Sequence, residues 1–255
     1  MAWVESDSPS FHCRHSSENS ADVARLLRTL EDLRERLSEW FPHQVDGLTL
    51  ILHDSPMSLA ASNPMWAALW AVTDPGARRF VTGWVNRREL HVLAPRYLRE
   101  AAAGSTGAVQ MLAHAALTLY TRRVVIESNH DLHFSSPPMR SLASLRWAWM
   151  LEGASRWFSG ETAYAGTAIG RRLSADRRPS FPPSLRDAPL LGGTVFDLLV
   201  SEQGEQAAAL MSGRLLPGGS RETLIRAFDG RSVIDIEGMW RSHLAKLASA
   251  SDVIG

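Results

Sequence analysis

Gln110-Met111-Leu112-Ala113-His114-Ala115-Ala116-Leu117-Thr118 is the stretch on which the fold turns. It lies inside residues 108–125, a run rich in Ala, Leu and Val that reads as a helix, and it sets His114 behind an apolar lead-in. A second helical run over residues 147–158 carries Trp147-Ala148-Trp149-Met150-Leu151-Glu152-Gly153. The two runs place a histidine and a carboxylate on separate helices, and every other element is read relative to them.

Upstream, residues 11–15 read as a short first strand. A helix follows over residues 21–41, capped by Ser20 and stopped by Pro42. Val23, Leu26, Leu27, Leu30, Leu33, Leu37 and Trp40 recur there at helical spacing as one broad apolar face. Residues 48–53 read as a largely buried strand that opens into a turn at Asp54, Ser55 and Pro56. Next comes a helical segment with Trp66 and Trp70. Two strand-like runs, 79–85 and 90–93, flank Asn86-Arg87-Arg88 and predict a hairpin. Downstream, residues 129–138 read as a polar loop and residues 171–189 as an extended Arg- and Pro-rich loop. Three helices over 194–211, 220–228 and 233–248 close the chain. Strands early and helices late predict an α+β protein rather than a βαβ repeat. The expectation is one domain, with a small mixed sheet and helices over residues 1–100 and a mainly helical lobe over residues 101–255.

Composition bounds the function. At 255 residues and 45% hydrophobic content the chain can bury a substantial core. A net charge of +0 leaves no bulk attraction to nucleic acid or anionic membrane, so neither is expected as a partner. No apolar stretch approaches membrane-spanning length and no leader pattern opens the chain, which predicts a soluble, cytoplasmic protein. Cys13 is the single cysteine, which excludes an internal disulfide and a cysteine-rich metal site. Lys246 is the sole lysine beside abundant Arg and Ala, a bias expected of a GC-rich, bacterial genome.

The pair of motif helices resembles that of the gluzincin zinc metallopeptidases of the peptidase-MA-like type. A gluzincin helix carries two histidines four residues apart, with a glutamate after the first as general base, and a second helix supplies a glutamate as third zinc ligand. His114 matches the first ligand, and Trp149, Glu152 and Gly153 match W-x-x-E-G in register. Ala115 stands at the general-base position and Thr118 at the second ligand. The order of strand, long helix, strand ending in His53, hairpin and motif helices is similar to that family's. So is the tail, with Gly193-Thr194-Val195-Phe196-Asp197-Leu198-Leu199, Arg214-Leu215-Leu216-Pro217-Gly218-Gly219, Ala227, Phe228 and Trp240. The resemblance covers nearly the whole chain and implies a zincin-like fold.

It also implies a pseudoenzyme. Two protein ligands, His114 and Glu152, stand where catalytic zinc uses three, so the metal site is vestigial. Without a held zinc, water stays near its bulk pKa of about 15.7 instead of about 7. Losing the general base removes roughly a further 10²–10⁴-fold. No catalytic residue or cofactor is then expected, zinc being the one candidate, and an extended peptide or protein segment in the cleft is the expected partner, received by an edge strand around residues 79–93. The rival reading is a zinc peptidase with a rearranged site, in which His130 or His133 completes the set with His114 and Glu152.

Plainer readings accompany each candidate. His114 and Glu152 can hydrogen-bond to each other as a relic pair, because a buried carboxylate needs a partner. His130 and His133 suit a solvated loop. Cys13, flanked by His12 on the opposite strand face, reads as a packed cysteine. Arg171, Arg172, Arg177 and Arg178 read as a solvated basic loop. Trp147, Trp149 and Trp157 read as core.

Overall fold

The computed structural model describes residues 3–73, 78–103, 107–134, 137–175 and 178–252, without the side chains at positions 65, 69, 133–141, 251 and 252. The chain opens with strands β1 (Trp3–Asp7) and β2 (Phe11–Ser16), then helix α1 (Ser20–Leu37) and strand β3 (Leu48–His53). Helices α2 (Pro56–Ser62) and α3 (Pro64–Val72) lead to strands β4 (Gly83–Val85) and β5 (Glu89–Leu93). From there the described elements are helical: α4 (Pro95–Ala102), α5 (Ala108–Ala113), α6 (Ala115–Ser128), α7 (His130–Phe134), α8 (Pro137–Arg146), α9 (Ala148–Phe158), α10 (Gly166–Leu173), α11 (Ala188–Gln203), α12 (Glu205–Ser212), α13 (Gly219–Ala227) and α14 (Val233–Asp252). A mixed α+β N-terminal lobe with a small sheet is thus followed by a mainly helical region.

The sheet runs β1-β2-β3-β5-β4, with β2, β3 and β5 parallel and the two edge strands antiparallel to their neighbours. Alternation sets its faces: Phe11, Cys13 and His15 of β2 are buried while His12 and Arg14 are exposed. The buried row meets α1, whose Val23, Leu27, Leu30, Leu33 and Leu37 form the apolar stripe the sequence predicts. Phe11 meets Tyr120 of α6 edge-on, ring centroids 5.0 Å apart, so α6 is keyed directly onto the sheet. On its other side α6 packs against α9, which packs against α11. There the helices approach so closely that a Cβ on Gly153 would lie 2.6 Å from the Gly192 carbonyl oxygen, and one on Gly192 would lie 2.8 Å from the Trp149 carbonyl oxygen. Gly153, beside Glu152, is therefore a packing requirement.

Several sequence expectations need adjustment. β1 was not foreseen, because a polar, half-exposed edge strand has no apolar alternation to read. Ser20 does not cap α1: a 3-10 turn over Ser17–Asn19 precedes it, and Asn19 is turned inward to bond Ser16 and Asp54, tying the ends of β2 and β3 together. The helix foreseen over residues 108–125 is broken at His114. The predicted 194–211 helix is two helices, parted at Gly204, whose φ of +81° suits glycine. Residues 129–138 contain α7 rather than only loop, because Asn129 is buried and its side-chain oxygen accepts the N–H groups of Asp131 and Leu132. The basic stretch from residue 171 begins inside α10.

Candidate functional site

A cavity of about 440 Å³ opens between β4 with its following turn and the helices α6, α8 and α9. Trp66, Phe80, Trp84, Leu119, Ile126 and Leu145 supply much of its apolar wall. One wall is residues 82–87, so the antiparallel edge strand runs along the cavity. Its size and mostly apolar walls over a few convergent polar groups fit the general character of ligand pockets, which run from about 300 to 1,000 Å³.

Charge is concentrated at the floor. Thr118 and Arg122 stand one helical turn apart on α6 and are faced by Glu152, Arg156 and Glu161. His114, at the start of α6, lies outside the cavity lining but near enough to Glu161 to act on its charge. Glu152 pairs through one carboxylate oxygen with Arg122 and through the other with Arg156 Nε at 3.6 Å. Arg156 also donates to Glu161, and to the Phe80 carbonyl at 2.8 Å. Thr118 donates its hydroxyl to the second Glu161 oxygen at 2.6 Å and lies 2.9 Å from the Ser159 hydroxyl. The floor is thus an alternating array of two guanidiniums and two carboxylates. Burial and the neighbouring Arg156 charge pull Arg122 down to about 10. Burial raises Glu161 despite the opposing pull of Arg156 and Thr118.

His114 takes no part in an ion pair with Glu152. Its Nδ1–H donates to the Gln110 carbonyl at 2.7 Å, and its ring lies 5.3 Å from that of Tyr164. Glu152 has found its partner in arginine instead, so the relic His–Glu pair is not formed. Ala115 and Thr118 both line the cavity, Ala115 as apolar wall. Arg122, Arg156 and Glu161 went unnoticed in the sequence, although Arg122 follows Thr118, and Arg156 follows Glu152, at the four-residue spacing that puts side chains on one helix face.

These donors do not fit the zinc ion that the resemblance implies. Both Glu152 oxygens face cations, the Thr118 hydroxyl is spent on Glu161, and His114 keeps one ring nitrogen. Among the described residues no group of three His, Cys, Asp or Glu side chains stands close enough to hold a metal. His130 is exposed at the start of α7, and the His133 side chain lies outside the described residues.

No known protein family, curated protein or solved structure matches this chain. A functional reading therefore rests on the geometry of the site and on the sequence resemblance of residues 110–118 and 147–153.

Of the remaining candidates, Cys13, Arg172 and the tryptophans have structural roles. Cys13 is buried in β2 and burial pushes its thiol up to about 12, which leaves it unreactive. Arg172, far from being solvated, is buried in a two-pronged pair with Asp187, at 2.7 and 3.1 Å. Arg171 and Arg178 are exposed, and Arg177 lies outside the described residues. Trp147 and Trp149 are core, and Trp157 packs against it. No described helix is long and apolar enough to cross a membrane.

A second polar array lies behind the edge strand. Ser58 Oγ is 2.9 Å from His53 Nδ1, His53 Nε2 is 2.9 Å from His91 Nδ1, and His91 Nε2 is 3.4 Å from Glu89. Glu89 only accepts, so one consistent arrangement has His91 donating to it, His53 donating to His91, and Ser58 donating to His53. Trp84 lies flat on His91 with centroids 3.9 Å apart, which anchors β4 to the sheet. Burial, with the nearby His91, pulls His53 down to about 4, and burial lowers His91 as well.

Proposed function

We propose that this chain is a catalytically inactive, zincin-like relative of the gluzincin metallopeptidases, a pseudoenzyme that uses the ancestral cleft to bind a peptide or protein segment. The observation that carries this reading is the Arg122–Glu152–Arg156 array on the cleft floor. The carboxylate that corresponds to the third zinc ligand is neutralised by guanidinium, while the positions of general base and second histidine hold Ala115 and Thr118. A guanidinium binds and orients carboxylate or carbonyl oxygen, but it offers no open coordination position and does not make hydroxide from water at neutral pH. The cavity above this floor, flanked by an edge strand, is of a size to take ligand groups.

Zinc stoichiometry tests the reading. Wild-type protein loaded with zinc and desalted is expected to retain well under one equivalent. The double variant Ala115→Glu/Thr118→His should still fail to hold zinc, because Arg122 and Arg156 keep both Glu152 oxygens occupied, and adding Arg122→Leu, which frees one of them, should raise retention. Stoichiometric zinc in the wild type, lost in both His114→Ala and Glu152→Ala, would instead establish the rival reading of a rearranged zinc peptidase.

A further inference from the structure

The mode of docking follows from the edge strand itself. Leu93 donates to the Thr82 carbonyl and Asn86 to the Glu89 carbonyl, so Thr82, Trp84 and Asn86 face β5. Gly83, Val85 and Arg87 then face outward, where an added strand would pair. Two of those outward carbonyls are already engaged: Gly83 accepts from Trp66 Nε1 at 2.9 Å, and Arg87 accepts from Arg123 Nε at 3.4 Å. Val85 alone keeps an outward carbonyl without such a side-chain cap among the described residues. This resembles the way natural sheets blunt an edge against pairing. With two of the three outward carbonyls engaged, the edge offers an incoming strand fewer free main-chain acceptors, which weakens the hydrogen bonding on which strand addition depends.

Charge at the cavity gives the second constraint. Arg122, Arg123 and Arg156 each have a carboxylate partner, namely Glu152, Glu127 and Glu161. Arg87 lines the same cavity, is exposed, and forms no ion pair among the described residues. The cavity thus carries an uncompensated cation beside mostly apolar walls that stand over a charge-paired floor. Leu145 of α8, 47% exposed, adds an apolar surface at its border.

Building on the peptide-binding reading, we infer that the occupant is an acidic-apolar peptide segment of a partner protein. One large apolar side chain packs against the apolar walls, and a neighbouring Asp or Glu meets Arg87. The segment is held by that anchor and by Val85 at most, not by a strand-addition ladder. Burial of a Phe- or Leu-sized side chain supplies roughly ten- to a hundredfold in affinity, and the exposed charge pair supplies selectivity more than affinity.

Fluorescein-labelled, end-capped decapeptides test this by anisotropy at low ionic strength. One set has a central Phe flanked by Asp and Glu, a second has the same Phe flanked by Lys, and a third replaces Phe by Ala in the acidic frame. A fourth carries single backbone N-methyl groups at successive positions of the acidic peptide. The acidic Phe peptide should bind most tightly, the Ala peptide at least tenfold more weakly. Arg87→Glu should weaken the acidic peptide about tenfold and strengthen the Lys peptide. N-methylation should cost affinity at no more than one position. Equal binding of acidic and basic peptides, unmoved by Arg87→Glu, would overturn the charge assignment while leaving peptide binding intact. Losses at alternate N-methyl positions would overturn the anchor in favour of strand addition. Saturable binding by none of the peptides would remove the peptide-binding reading and this inference together.

Discussion

Replacing Glu152 by Leu should be among the more damaging single changes at the cleft, and more damaging than Arg122→Leu. Glu152 is the shared carboxylate of two arginines, and its removal leaves Arg122 and Arg156 facing each other with Glu161 as the remaining anion. Stripping one partner from a buried ion pair costs about 3–5 kcal/mol. The side chains here are 20% exposed for Arg122 and 16% for Glu152, so some of the stranded charge is solvated. That discount brings the expected cost to about 2–4 kcal/mol, or roughly 4–16 °C in melting temperature for a chain of this size. Arg122→Leu leaves Glu152 with Arg156, and burial already raises Glu161, which eases its protonation, so about 1–2 kcal/mol is expected. The double variant replaces a pair by apolar side chains and should cost less than Glu152→Leu alone, since such replacements are often near neutral. Urea unfolding followed by tryptophan fluorescence on all four proteins closes the cycle. Single-variant costs that simply add, or Glu152→Leu costing under about 1 kcal/mol, would show that the floor is not an interdependent charge array.

Two further outcomes follow from the same structure. His53, held near 4 against an ordinary 6.5, binds fewer protons folded than unfolded, so its contribution is present above about pH 6.5 and lost as pH falls towards 4. Unfolding free energy should drop by roughly 2 kcal/mol between pH 7 and pH 5, before the lowered carboxylates Asp22, Glu31 and Glu89 titrate, and a profile flat over that interval would refute the assignment. Gly153→Ala pushes a methyl to within 2.6 Å of the Gly192 carbonyl oxygen, forcing α9 from α11; about 1–3 kcal/mol of destabilisation is expected by urea titration, and an unchanged midpoint would mean the helices separate freely.

Legibility in the sequence tracked how much of an element's burial is one-sided and apolar. Residues 48–53 were readable to the residue because β3 is a buried run bounded by turn chemistry, and α1 because its leucines recur at helical spacing. Trp3–Asp7 gave no signal, since β1 forms only by pairing with β2. The break at His114 was equally silent: both sides of it are good helix formers, and the interruption appears only in the fold. At the site, the sequence marks Glu152 as a carboxylate in need of a partner, but a motif of metal ligands points to histidine, whereas its partners are arginines. Arginines four residues from Thr118 and Glu152 answered the same electrostatic need from the same helix faces.

On the proposed reading, arginine beside Glu152 bears on how such a cleft changes its work. A buried carboxylate cannot be left alone once its cation is gone, so loss of a zinc ligand creates pressure for a compensating cation rather than for a neutral floor. On the proposed reading, Arg122 and Arg156 are that compensation. On that reading, Ala115→Glu with Thr118→His would not by itself build a metal site, because both Glu152 oxygens are held by cations that a zinc ion would have to displace. The capped carbonyls of Gly83 and Arg87 act in the same direction, removing main-chain partners that would align an extended peptide. The apolar walls are independent of both features, since Trp66, Phe80 and Leu119 belong to the core packing of the fold. On the proposed reading, recognition through a side-chain anchor is therefore the capacity that this cleft keeps, its carboxylate held by guanidinium and two of its edge carbonyls capped.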